Sequence, residues 1–258
     1  MIKMKPLRLI YLALSMLLIL SCNKQPTEHQ FSISGSIEQT EEKAFILSAL
    51  DSGGYKVIDT IRTDKKGFFT KTYQINYQTI YTLALSNNDF AMFVAQPKDQ
   101  IKITANATSF ASSYNIENSP ISEQLKLLNK ENMVTRQRLA FLSDLLYQNK
   151  YEENFNQIKA KVKEEYTALQ QQERQFTLDF IDRNLGNLAS VVALYRTFDG
   201  QWLILADELD IYNKVLSGLK KTMPNNPQTI YLQNCIQKNQ NLINHLQNEH
   251  NGIAKQEK

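Results

Sequence analysis

From Phe31 to about Ala107, apolar residues recur at every second position. The runs are Phe31, Ile33 and Ile37; Phe45, Leu47 and Ala49; Tyr81, Leu83 and Leu85; Phe90, Met92 and Val94; and Ile101 and Ile103. Period two sends successive side chains to opposite faces of an extended chain, so these runs predict half-buried antiparallel strands. The breaks between them carry turn chemistry: Asp51-Ser52-Gly53-Gly54, Asp64-Lys65-Lys66-Gly67, Asn87-Asn88-Asp89 and Gln96-Pro97-Lys98-Asp99. Gly67 suits a positive φ and Pro97 presets a turn. About seven short strands at this spacing predict a small antiparallel β-sandwich over 31–112.

At Ser119-Pro120 the pattern changes. Serine suits an N-cap and proline the first helical position, and the apolar spacing beyond them is three to four residues. Ile121, Leu125, Leu128, Leu139 and Leu142 form one apolar face. Phe155, Ile158, Val162, Leu169, Phe176 and Phe180 form another, on a helix over roughly 151–184. Such a helix is about 50 Å long and is expected to fold back on the first as a long hairpin. Gly186-Asn187 predicts the end of that helix and the cap of the next, 188–197, with Leu188, Val191, Val192 and Tyr195 inward. Gly218 is expected to close a fourth helix, and Asn226-Pro227 to open a fifth reaching about His245. The fold class is therefore α+β, an N-terminal β-sandwich followed by an α-helical bundle over 119–250.

The N-terminus has a different logic. Lys3, Lys5 and Arg8 precede an apolar run, Leu9 to Leu20, that is long enough for a signal peptide but short of a bilayer span. The run ends Ile19-Leu20-Ser21-Cys22, which resembles a bacterial lipobox. That resemblance implies a signal peptide over 1–21 and a mature chain starting at Cys22, diacylated with fatty acids such as palmitate. Two or more acyl chains anchor a protein stably where one does not. Residues 22–30, polar and without period, read as a tether. Asn23 is not the aspartate of inner-membrane retention, so the expected location is the outer membrane, lipid-anchored and facing the periplasm.

Composition adds little beyond this. The chain has 258 residues, 42% hydrophobic and 21% charged, enough for a packed core. Its formal charge of +3 is carried by Lys3, Lys5 and Arg8, so the mature chain is balanced and has no footprint for nucleic acid.

The β-rich opening Phe31-Ser32-Ile33-Ser34-Gly35-Ser36-Ile37 and the strand-turn-strand around Asp64-Lys65-Lys66-Gly67-Phe68-Phe69 continue in Ile80-Tyr81-Thr82-Leu83 and in the hairpin from Phe93 to Ile103. With the helical motifs Phe176 to Ile181 and Ser190-Val191-Val192-Ala193-Leu194-Tyr195, they resemble the N-terminal domain of unknown function of Bacteroidetes-type TlpA/ResA-like thiol-disulfide oxidoreductase lipoproteins. The resemblance covers about 22–248 and implies an anchored, periplasmic, non-redox half. Those relatives continue into a thioredoxin-fold domain with a Trp-Cys-x-x-Cys motif. This chain is expected to lack it, because its only cysteines are Cys22 and Cys235 and no Cys-x-x-Cys occurs. The oxidoreductase activity therefore transfers to no residue here.

The remaining chemistry candidates read as structural. Cys235, in a predicted helix beside Ile236, is expected to be a buried, inert core thiol. His245 and Glu249 share a helix face, but His250 is turned away, so no metal site is expected. His29 lies in the tether. Glu152-Glu153, Glu164-Glu165 and Asp207-Glu208-Asp210 are expected on solvated faces. Gly53-Gly54 lacks the lysine and βα unit of a phosphate loop, and neither Gly-x-Ser-x-Gly nor His-Glu-x-x-His is present. Twelve Tyr and twelve Phe raise the idea of an aromatic ligand groove, but most fall on apolar phases that predict core. Trp202 is expected to be a packing wedge rather than a partner anchor. No catalytic residue, cofactor or metal is expected. The function read from the sequence is a non-catalytic binding or assembly module. The alternative is the accessory half, presenting substrate or docking surface, of a split thiol-disulfide oxidoreductase whose partner is a separate thioredoxin-like envelope protein.

Overall fold

The computed structural model describes residues 25–256 apart from 41 and 53. The signal-peptide expectation and Cys22 lie outside the described residues.

Seven strands come first: β1 (Gln30–Glu38), β2 (Ala44–Asp51), β3 (Gly54–Arg62), β4 (Phe68–Gln74), β5 (Thr79–Ser86), β6 (Asp89–Ala95) and β7 (Gln100–Asn106). A single helical turn, α1 (Phe110–Ser113), and a short β8 (Asn115–Glu117) follow. The strands form two four-stranded sheets, ordered β4-β1-β7-β8 and β3-β2-β5-β6. The expected seven strands are present. The pairing departs from a purely antiparallel sandwich at one ladder, where β1 and β7 run parallel from Ser32↔Gln100 to Glu38↔Asn106. After β1 the chain builds β2 and β3 in the second sheet, returns to the first for β4, completes the second with β5 and β6, and re-enters the first as β7, beside β1 and in the same direction.

Strict alternation along β1 buries Phe31, Ile33 and Ile37 between the sheets, against Phe45 and Leu47 of β2, Leu83 of β5 and Phe93 of β6. Gly35 holds the fourth inward position. A Cβ there would stand 2.0 Å from the Phe69 ring of the facing β4, so the ring fills the space that a side chain would occupy.

In β6 the phase is the reverse of the sequence reading. Ala91, Phe93 and Ala95 face the sandwich core, while Val94 is buried on the other face together with Ile80 of β5. At Ile80 and Val94 the hairpin is apolar on its second face too, because that part of it is covered.

The second cover is helical. Pro120 opens α2 (Pro120–Gln148), and α3 (Phe155–Arg183) returns along it as the expected hairpin, beginning four residues later than the periodicity suggested. Asn187 caps α4 (Leu188–Leu194), its side chain accepting the Ala189 amide at 2.9 Å. A two-residue hairpin of β9 (Thr197–Phe198) and β10 (Gln201–Trp202) precedes α5 (Leu209–Thr222) and α6 (Pro227–Gln256). Leu125, Leu128, Phe180, Val191, Leu219 and Leu232 join Ile80 and Val94 in a second core, so one face of the β2 sheet serves as the floor of the helical layer.

Gly218 does not close a helix as expected but lies inside α5. A Cβ there would come 2.7 Å from the Gly186 backbone nitrogen, so glycine permits α5 to cross the α3–α4 turn at backbone contact. The last helix runs past His245 to Gln256. Among the described residues no helix is long and apolar enough to cross a membrane.

Candidate functional site

The helical layer covers only part of the outer face of the β2 sheet. Beyond Val94 the outward residues Ile46, Tyr55, Val57, Ala84, Phe90 and Met92 border open space instead of helix. Val57 is 61% exposed and Tyr55 48%, high values for side chains that bury well.

Three adjoining cavities make this face the start of a groove. One of about 410 Å³ lies over the sheet. Next to it, sharing Tyr55 and Met92, one of about 390 Å³ runs between the sheet and the helices, against Val191, Val192, Tyr195 and Tyr231. A third, about 320 Å³, shares Tyr195 and Tyr231 and ends at Trp202, Tyr212 and Cys235. Tyr195 links the segments through edge-to-face contacts, its ring centroid 6.2 Å from Trp202 and 6.3 Å from Tyr212. At the sheet end the Tyr55 hydroxyl reaches the Met92 sulfur at 3.9 Å.

The tyrosines of the groove walls stay uncharged around neutral pH. Burial raises the Tyr195 and Tyr212 phenols above their ordinary range. Tyr231 is raised too, chiefly by its hydrogen bond with Cys235. Neutral phenols combine a large apolar face with a polar tip, the composition found where proteins hold apolar segments.

A buried ionic cluster fixes the helical wall. Glu173 of α3 and Arg196, just after α4, are both almost fully buried and pair at 2.7 Å between Oε2 and Nη2. Nη1 of Arg196 donates to the Thr177 hydroxyl at 2.7 Å, the guanidinium lies over the Phe176 ring, and the Thr135 hydroxyl of α2 donates to the other Glu173 oxygen. Both carboxylate oxygens are thus engaged, and the cluster ties α2, α3 and the residue next to Tyr195 into one frame. This makes it a fastener for the groove rather than a reactive pair. Beside it, a more polar cleft of about 480 Å³ lies between α2 and the β9–β10 turn, lined by Asn132, Arg136 and Asp199 among others.

Several sequence expectations are corrected here. Tyr195 faces the groove, not the core, because α4 ends at Leu194 and the chain turns there. Trp202 is 54% exposed; it sits on a two-residue hairpin whose tip, Asp199-Gly200, holds it above the surface. Cys235 is half-buried and borders the groove end instead of sitting in a core. Asp207, Asp210, Glu152, Glu153 and Glu164 are solvated as expected. Glu165 and Glu208 are not free surface charges, since Glu165 pairs with Arg138 and Glu208 with Arg174. The Arg174 guanidinium holds the Glu208 carboxyl below the usual carboxylate range.

Glu173 and Arg196 were missed because single charged residues in a polar helix carry no pattern. The Asp199-Gly200 pair was a legible signal, the dipeptide of a tight hairpin; both residues have positive φ. Among the described residues no group of three His, Cys, Asp or Glu stands close enough to hold a metal. The side chains of Glu249 and His250 lie outside the described residues. Gly54 opens β3 at a φ of 123°, away from any helix N-terminus, and Gly53 is outside the described residues.

Comparison with curated proteins finds no match. Residues 31–125, the two sheets with the first turns of α2, match the model of a domain of unknown function (DUF4369).

Proposed function

We propose that this protein is a lipid-anchored, non-catalytic binding module of the bacterial envelope, and that its groove receives an extended apolar segment of an envelope protein. The observation that carries the reading is the continuity of the groove. It runs from the exposed face of the β2 sheet through Met92 and Tyr195 to Trp202, and its lining is mainly apolar and aromatic, with Asp51, Gln228 and Lys238 among its polar members. A length of chain with apolar side chains on alternate positions fits such a surface, because one face of it is buried while its backbone lies along the sheet.

The lipobox at Cys22 and the resemblance to the N-terminal parts of TlpA/ResA-like lipoproteins support attachment to the outer membrane, facing the periplasm. The accessory half of a split thiol-disulfide oxidoreductase is the second reading. One observation favours it: Cys235 is partly exposed at the groove end, beside the Tyr231 hydroxyl. Fast labelling of the native Cys235 thiol, and a mixed disulfide trapped there with a thioredoxin-like protein, would select that reading over the first.

Trp202 is the single tryptophan of the chain and reports on the groove directly. Titration of the full chain with synthetic peptides that alternate apolar and polar residues is expected to shift Trp202 emission to the blue and to saturate. Met92→Lys places a charge on the floor shared by two of the cavities. Desolvating it costs upwards of about 1.4 kcal/mol, so binding should weaken about tenfold or more. Peptides that leave the emission unchanged, or bind Met92→Lys as well as the native protein, would overturn the groove as the binding site.

A further inference from the structure

The two edges of the β2 sheet are treated differently. At β6 the edge is sealed by side chains. Ser122 Oγ accepts the Val94 amide at 3.0 Å, Ser119 Oγ donates to the Val94 carbonyl at 2.8 Å, and Asp89 accepts the Ala111 amide at 2.7 Å. At the other edge β3 has no strand beyond it. From Thr60 onward it is guarded, since Asp59 accepts the Thr60 amide at 2.7 Å and takes the Tyr73 hydroxyl and Lys71 from β4. From Gly54 to Ile58 every residue is exposed, Tyr55, Val57 and Ile58 among them. Folded proteins seldom leave an apolar strand edge open unless something pairs with it.

We infer that the open stretch of β3 pairs antiparallel with β3 of a second copy of this chain, about a two-fold axis between Val57 and Ile58. The argument for this occupant is charge complementarity. In that register Lys56 of each copy stands opposite Asp59 of the other and Val57 opposite Ile58, and the ladder ends there because the Thr60 amide is already held by Asp59. Both cross-strand charge pairs are attractive and the axial pair is apolar, a combination that stabilises an antiparallel ladder. Asp59 retains 34% of its side chain exposed despite its own contacts, so it is open to a second cation. The interface is isologous and closes on itself, giving a dimer and not a filament. It joins two four-stranded sheets into one, and the Tyr55 and Val57 rows of the two copies meet across the seam. This pairing does not require the groove to be filled. Lys56 and Asp59 alternate to the face opposite Tyr55 and Val57, so the charge pairs and the groove lie on opposite sides of the sheet.

The test uses the full chain in a nonionic detergent, with natural-abundance and ¹⁵N-labelled protein mixed before carbodiimide coupling. A Lys56–Asp59 amide that joins labelled to unlabelled peptide is expected, together with a dimer in sedimentation equilibrium. Lys56→Glu replaces both attractions with repulsions and should lower the dimer at least tenfold while Trp202 titrations of the groove are unchanged. Asp59→Lys alone should do the same, and an equimolar mixture of the two variants should regain the dimer, because each mixed pair is again attractive. If Asp59→Lys fails to fold, Val57→Lys supplies the second break at the edge. A full chain that remains monomeric overturns the proposal and makes the β-bulge at Ile58 a guard that twists this edge away from partners. A dimer indifferent to Lys56→Glu and Val57→Lys also overturns it.

Discussion

Glu173 illustrates how much a single residue decides in this fold. It sits in a helix whose neighbours are Gln170, Gln171, Gln172, Arg174 and Gln175, so nothing local distinguishes it from the solvated face. Its burial follows from the packing of α2, α3 and the turn after α4, which bring Thr135 and Arg196 to its two oxygens. Glu173→Gln keeps the shape and leaves Arg196 as a buried cation without its counter-charge, and breaking a buried pair from one side costs about 3–5 kcal/mol. The expected result is a loss of that size in chemical denaturation. It should be accompanied by a change in Trp202 emission as the helical wall loosens. A loss below 1 kcal/mol, the worth of an exposed pair, would show that the cluster is solvated. Gly35 and Gly218 are decided in the same way, by a partner distant in sequence: the Phe69 ring for one, the Gly186 backbone for the other.

Among the elements, the β5–β6 hairpin has the most demanding position because it contributes to two cores. Leu83 and Phe93 face the sandwich; Ile80 and Val94 face the helices. The change of period near 112–119 separates strand from helix, and the packing then links the two across this hairpin. Ile80→Ala removes a fully buried side chain from the helical side and should cost about 2–5 kcal/mol. Because β5 lies in the middle of its sheet, the loss is expected to reach both parts at once. Hydrogen exchange is the check, with β1 and α3 amides losing protection by the same amount. Strand amides that keep full protection while the helices exchange would show two independent units. The α2–α3 hairpin was legible from its apolar spacing, whereas β9 and β10 are too short for any period and appear only through the turn chemistry of Asp199-Gly200.

At the scale of the molecule, the proposed anchor and the proposed binding surface are separate. Attachment is expected to rest on acyl chains at Cys22, each buried CH₂ contributing about 0.8 kcal/mol, and among the described residues no helix offers an alternative span. Cells expressing Cys22→Ala should release the protein from the membrane fraction after a high-salt wash. Retention of that variant in the pellet would remove the lipid from the account and leave the exposed apolar face as the attachment to be examined. The groove and the β3 edge belong to the folded body from Gln30 onward, so their binding should persist in the released protein.

The sequence by itself determined the class of fold, the positions of most strands and the hairpin of long helices. These depend on local period, and period is set by which side of one element meets solvent. The cap at Asn187 and the proline start at Pro120 were equally local, whereas the Ser119 hydroxyl caps nothing and donates to the Val94 carbonyl. The tertiary structure decided what each apolar residue faces. Period two could not tell the inner face of β6 from its outer one, because helices distant in sequence cover the second. It could not show that the cover stops at Met92, leaving Tyr55 and Val57 open, nor that Tyr195, Trp202 and Cys235 line one cavity across three elements. Nor could it pair Glu173 with Arg196, or show that one sheet edge is sealed by serines while the other is bare. Each of these is a relation between segments far apart in the chain, set by how layers pack rather than by the order of neighbouring residues.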